Sequence, residues 1–128
     1  MKIYGLGTDI VNCNRIKKTF SNNLSLLNRV FSKSEIEYCK EKKNPHFCYA
    51  MRFAAKEAFS KSLGTGISKG ISLKEIVVGK KSSGQPYLSI KGSSLKIMNK
   101  IFKRKKFHLF LSISDDKPFA IATVIIAF

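Results

Sequence analysis

Residues 44–66, NPHFCYAMRFAAKEAFSKSLGTG, decide how this chain folds. Asn44 can cap a helix, Pro45 suits the first helical position and Gly64 supplies a left-handed stop, so the pattern predicts a helix over 45–63. Phe47, Ala50, Met51, Ala54, Ala58 and Leu63 form its apolar stripe, while Arg52, Lys56, Glu57, Ser60 and Lys61 take other directions. The helix is amphipathic, with a charged flank. Beyond the Gly64-Thr65-Gly66 loop, 76–80 and 87–90 read as strands joined by Ser82-Ser83-Gly84-Gln85-Pro86, a hairpin. Leu95, Met98, Ile101 and Phe102 predict a further helix over 94–105, whose last turn carries Lys103, Arg104 and Lys105, as the helix dipole favours. Residues 107–114 and 119–128 are β-rich runs around Asp115-Asp116-Lys117-Pro118, and the final strand is so apolar that burial on both faces is expected.

Upstream of the long helix, 3–9 reads as a short strand ending at Asp9. Gly5 and Gly7 leave little bulk on one of its faces, so backbone can approach closely there. Ile16, Phe20, Leu24 and Leu27 fit one interrupted helix or two short ones, with the break at Ser21-Asn22-Asn23. Ser32 and Glu35 make a candidate capping box for a helix ending near Lys43. The order β-α-α-α-β-β-α-β-β defines an α+β domain, an antiparallel sheet packed against helices.

At 128 residues the chain fits a single domain over 1–128, too short for a two-domain enzyme. With 10 Phe and 4 Tyr its composition is that of a globular core rather than a disordered segment. Its 24 Lys and Arg against 8 Asp and Glu leave a formal charge of +16, which points to an anionic partner or substrate. Lysine dominates that excess, a usage that genomic bias also produces. Cys13, Cys39 and Cys48 lie in no metal-ligand spacing and are expected to be free, reduced thiols. The opening MKIYGLGTDI lacks the unbroken apolar run of a signal peptide. The longest apolar stretch, 119–128, is about half of the roughly 20 residues needed to cross a bilayer. A cytoplasmic protein is expected.

Few side chains can carry chemistry. Asp9 closes the first strand and Glu57 sits among Phe53, Ala54, Ala55, Ala58 and Phe59, so both are candidates for partly buried carboxylates that want a counter-charge. If the strand packs beside the helix, the two acids converge into a hard-oxygen site suited to Mg²⁺ and phosphate oxygens. Spacing alone favours instead the pairing of Glu57 with Lys61, a Glu-to-Lys order worth about 0.2–0.5 kcal/mol. Gly64-Thr65-Gly66 can present N–H groups to a phosphate or simply end the helix. Neither a P-loop nor a GxGxxG fingerprint is present. His46 and His108 lie near no recognisable nucleophile and read as structural or solvent-facing.

Together, Gly5-Leu6-Gly7-Thr8-Asp9-Ile10-Val11 and Arg52-Phe53-Ala54-Ala55-Lys56-Glu57-Ala58, leading through Lys61 to Gly64-Thr65-Gly66, strongly resemble the 4′-phosphopantetheinyl transferase family in its short bacterial form, the holo-[acyl-carrier-protein] synthases. The likeness runs from the first strand to the last, through Ser83-Gly84-Gln85-Pro86 and Ala120-Ile121-Ala122-Thr123-Val124. Each motif is a short string; their order and separation make them specific. The resemblance implies transfer of the 4′-phosphopantetheine arm of coenzyme A to a serine of apo acyl carrier protein, with Mg²⁺, releasing adenosine 3′,5′-bisphosphate. It makes Asp9 and Glu57 metal ligands and places Lys61 on the phosphates. Arg52 and the Gly64, Thr65, Gly66 loop would hold the nucleotide, with Glu57 or Asp9, through a metal-held water, as the base for the serine. Arg15 matches a carrier-docking position, and an electropositive face suits an acidic carrier. The family also implies a homotrimer with sites at subunit boundaries, with which the apolar run 119–128 is compatible.

In one place the chain departs from the pattern: Asp115 stands where many relatives carry a histidine, so that histidine's role does not transfer, and His108 lies too far back to replace it. The rival class is a small basic nucleic-acid-binding module, favoured by the charge and by Lys103-Arg104-Lys105-Lys106. The missing recognition motifs and the scarcity of arginine weigh against it. A transferase for peptide- or polyketide-synthase carriers is disfavoured by length, since broad-specificity forms resemble two such units in tandem.

Overall fold

The computed structural model describes residues 1–64 and 70–128. Its elements are β1 (Ile3–Asn12), α1 (Cys13–Phe20), α2 (Leu24–Val30), α3 (Lys33–Lys40), α4 (Pro45–Ser62), a 3₁₀ turn (Leu73–Glu75), β2 (Ile76–Lys80), β3 (Pro86–Ile90), α5 (Gly92–Ile101), β4 (His108–Asp116) and β5 (Phe119–Ala127). This is the expected α+β architecture, but with two antiparallel sheets. One has the order β1-β5-β4 and the other is the β2-β3 hairpin. Local chemistry sets several boundaries as foreseen. The Asn44 side chain accepts from the Phe47 N–H at 3.2 Å and Pro45 opens α4, while Gly64 follows its end at φ +78°. The Ser32–Glu35 capping box opens α3 with both reciprocal bonds formed. The stretch over 14–28 resolves into two helices, and α3 stops at Lys40, short of Lys43.

Helix α4 lies across the three-stranded sheet. Val11 of β1 and Ala120, Ala122, Val124 and Ile126 of β5 face it and are buried, with β1 antiparallel to β5 from Ile3↔Ala127 to Asn12↔Phe119. The approach is close because Gly5 and Gly7 have no side chains: a Cβ at Gly7 would collide with the Ala58 carbonyl, and one at Gly5 with that of Ser62. Any larger residue would push the strand off the helix.

Four expectations change. The charged flank of α4 is divided, because α3 and β2 cover one side of it. Lys61 is exposed and Glu57 half-buried, but Arg52, Lys56 and Ser60 are buried. Lys56 is fully enclosed; its ammonium donates to Glu35 Oε1 at 2.7 Å and the Leu73 carbonyl at 2.8 Å, and also to the Ile76 carbonyl. Burial pushes its pKa down to about 8, with Glu35 opposing. Strand β5 is buried on one face only. Phe119 and Ile121 are exposed on the other, beside Leu6 and Ile10 of β1 and Phe110 of β4. Helix α5 ends before the basic run, and Lys103 and Arg104 lie in the left-handed region at φ 53° and 62°. Finally, the turn between α3 and α4 brings Cys39 and Cys48 together as a disulfide, leaving only Cys13 as a free thiol.

Candidate active site

Asp9 reaches α4 because Gly5 and Gly7 let β1 run against that helix. Its carboxylate accepts from Lys61 Nζ at 2.9 Å, and the same ammonium donates to the Thr8 carbonyl at 3.0 Å. The Lys61 side chain remains 55% exposed and that of Asp9 16%. Lys61 therefore bridges strand and helix instead of pairing with Glu57 along α4. Glu57, one turn before Lys61, has no hydrogen-bond or ion-pair partner among the described residues. Burial raises its pKa, as does the nearby charge of Asp9, while Lys61 opposes both. Asp9 and Glu57 are thus near enough to feel one another's charge at a half-open surface, where a cation would relieve the repulsion.

The donor set fits a hard divalent ion. No group of three or more His, Cys, Asp and Glu side chains exists among the described residues, so two carboxylates leave most of a coordination shell to water and ligand phosphates, as Mg²⁺ prefers. Near the middle of α4, Arg52 is 8% exposed and has no carboxylate partner among the described residues. Its Nη1 donates to Cys48 Sγ at 3.2 Å and its Nε has no acceptor. Burial lowers its pKa, with Glu35 and then Tyr38 opposing. A cavity of about 380 Å³ opens beside it, lined by Tyr38, Val78, Lys80 and Tyr87 among others. A buried, unpaired guanidinium in a cavity calls for an anion.

The structure thus brings together Asp9, Glu57 and Lys61, with Arg52 further along the same helix. Gly64 sits at the exposed end of α4, and Thr65 and Gly66 lie outside the described residues. Arg15 is exposed on α1 beside the end of β1. Asp115 is exposed near the β4-β5 turn, and His108 lies at the far end of β4, paired with Ala127. His46 is partly buried, with its pKa lowered by burial and then by Lys17. Sequence reasoning missed Tyr38, which Arg52, Lys42 and Lys80 all contact; no local pattern flags the cluster, because Arg52 and Lys80 come from segments other than that of Tyr38 and Lys42.

A small α+β scaffold with an acid pair, an adjoining lysine and a buried arginine along one helix is the donor set of a protein suited to phosphate ligands. More specifically, the chain belongs to the 4′-phosphopantetheinyl transferase superfamily, whose family model matches residues 5–124. It is 44% identical over 126 residues to the holo-[acyl-carrier-protein] synthase of Pelagibacter ubique, covering 98% of each chain. The crystal structure of the Neisseria meningitidis holo-[acyl-carrier-protein] synthase is similar at TM-score 0.83 and 32% identity, covering 98% of this chain and 99% of that one. That of Helicobacter pylori, in complex with coenzyme A, is similar at TM-score 0.79 and 35% identity, covering 95% and 99%.

Proposed function

We propose that this chain transfers the 4′-phosphopantetheine arm of coenzyme A to a serine of apo acyl carrier protein, releasing adenosine 3′,5′-bisphosphate, in support of fatty acid biosynthesis. The observation that carries the reading is the convergence of Asp9, Glu57 and Lys61 where β1 crosses α4, in a chain whose relatives at this similarity are holo-[acyl-carrier-protein] synthases.

Each residue has a role that its surroundings support. Asp9 and Glu57 would hold Mg²⁺, which supplies neutralisation of the charge that grows on a breaking diphosphate. Lys61 is half exposed on a flexible stem, so its ammonium can leave Asp9 for the phosphate that departs with the nucleotide. Arg52 binds the nucleotide portion through the donors it leaves unused, and Gly64, Thr65 and Gly66, which follow α4 in sequence, would contribute as the family resemblance implies. The carrier serine loses its proton to the acid pair, Glu57 or Asp9. Arg15, exposed on α1 beside Lys17 and Lys18, docks the acidic carrier, and the formal charge of +16 accelerates that encounter.

We further propose a homotrimer. Leu6, Ile10, Phe110, Phe119 and Ile121 crowd the outer sheet face at exposures of 38–62%, an apolar surface of the kind that marks an interaction site. A cytoplasmic location suits the substrates, and no helix among the described residues is long and apolar enough to cross a membrane. The deciding experiment is incubation with coenzyme A, Mg²⁺ and apo acyl carrier protein. The carrier should gain one phosphopantetheine mass; an unchanged carrier mass with folded protein rejects the reading.

A further inference from the structure

Three cations from three segments converge on one neutral side chain, Tyr38 of α3. The Arg52 guanidinium carbon lies 4.5 Å from the centre of its ring and Lys42 Nζ 4.2 Å. Lys80 Nζ donates to its hydroxyl at 3.4 Å. Like charges this close repel one another, yet the acid lining their cavity is fully occupied. Glu35 lines the same cavity, but its Oε1 accepts from Lys56 Nζ and the Ser32 N–H, and its Oε2 from the Val78 N–H. The aromatic ring attracts the cations through its quadrupole and leaves their charge intact. A carboxylate in its place would hold them equally well, but would neutralise them and compete with any incoming anion. The cations in turn favour the phenolate, Lys42 first, which lowers the pKa of the phenol.

We infer that Tyr38 is a positioning residue: it gathers Arg52, Lys42 and Lys80 into a preformed receptor for the phosphate-bearing nucleotide end of coenzyme A, and takes no part in breaking the bond. This rests on the proposed function above. Three features favour the assignment. Arg52 is nine-tenths buried with Nε unpartnered. The cavities on either side of Tyr38 each include Arg52 and Lys80 in their lining. Tyr38 touches its three cations from a helix that carries none of Asp9, Glu57 or Lys61.

The test compares wild type with Tyr38→Phe, Tyr38→Leu and Tyr38→Glu. Calorimetric titration with adenosine 3′,5′-bisphosphate reads binding alone, and kcat and KM for coenzyme A are read from carrier modification. Tyr38→Leu should weaken the bisphosphate and raise KM by about tenfold, with kcat within about twofold, since only ground-state binding is lost. Tyr38→Phe, which loses the hydroxyl and keeps the ring, should show about a two- to threefold change. Tyr38→Glu should be the weakest binder of the set, because it neutralises the cluster. Unchanged bisphosphate affinity in Tyr38→Leu, tighter binding by Tyr38→Glu, or a fall in kcat at constant KM would each overturn the inference. If Tyr38→Leu does not fold, the Tyr38→Phe and Lys80→Met double-mutant cycle decides: additive losses in bisphosphate affinity reject the contact, and coupled ones support it. A wild-type protein that binds the bisphosphate but modifies no carrier overturns the proposed function and leaves the binding arm to judge Tyr38.

Discussion

Helix α4 carries two lysines five positions apart, each in an ion pair with an acid from a distant segment, and the two pairs are opposites. Lys56–Glu35 is wholly enclosed, with both side chains 0% exposed, and its hydrogen bonds join α4 and α3 to one another, to the 3₁₀ turn and to β2. Lys61–Asp9 is open, and its acid has a second carboxylate for a neighbour. A buried pair with additional hydrogen bonds cannot rearrange without leaving an uncompensated charge, so it is architecture. An exposed pair holds its partner weakly, so it can be traded for a ligand. The same residue types on one helix therefore divide into scaffold and chemistry according to what covers them.

The contrast can be broken in several places. The largest effect is expected at the acids: Asp9→Asn or Glu57→Gln should lower carrier modification about a thousandfold, with thermal unfolding close to wild type. Mass spectrometry of the carrier measures the first and a melting curve the second; activity within tenfold of wild type would remove the acid pair from the mechanism. Next, Lys56→Met should cost about 3–5 kcal/mol in urea unfolding, because Glu35 is left buried without its partner. A loss below about 1 kcal/mol, the value typical of surface pairs, would erase the distinction.

Lys61→Met should show the reverse profile, with kcat down about a hundredfold and stability changed by less than about 1 kcal/mol. A variant with full kcat would show that Lys61 only bridges β1 to α4. The smallest effect concerns a remote cap. Glu75 accepts from the N–H groups of Ser93 and Ser94 at the start of α5 at 3.0 and 3.1 Å, and from both hydroxyls. These bonds, the Ser94 hydroxyl first, lower its pKa below the ordinary 4.5. The folded state thus favours the carboxylate, so the stabilisation is fully present above the ordinary value and is lost as pH falls through the lowered one. Wild type should melt above Glu75→Gln at neutral pH and converge with it in acid. A gap that persists at low pH would sink the cap.

Much of this was readable in order along the chain. The strands over 76–80 and 87–90, the cap at Asn44, the box at Ser32 and the glycines beside Asp9 all express rules that act within a few residues. So does the pairing of an acid with a lysine one turn on, and there the local rule misleads, since Lys61 turns to Asp9. Lys56 and Arg52 read as parts of one charged flank because helical spacing reports direction and is silent about what arrives from that direction. Cys39 and Cys48 looked independent for the same reason, and Tyr38 gave no signal, because Arg52 and Lys80 reach it from other segments and only Lys42 is its neighbour in sequence.

The sequence alone determined which segments become helix or strand, where the glycines let β1 touch α4, and that two acids and a lysine would be available there. Those outcomes depend on backbone preference and side-chain period, which are local. The tertiary structure decided which charges are sealed and which stay open, which face of β5 is left exposed, and which cations share a ring. These depend on burial and long-range approach, and a side chain's surroundings exist only once distant segments have met.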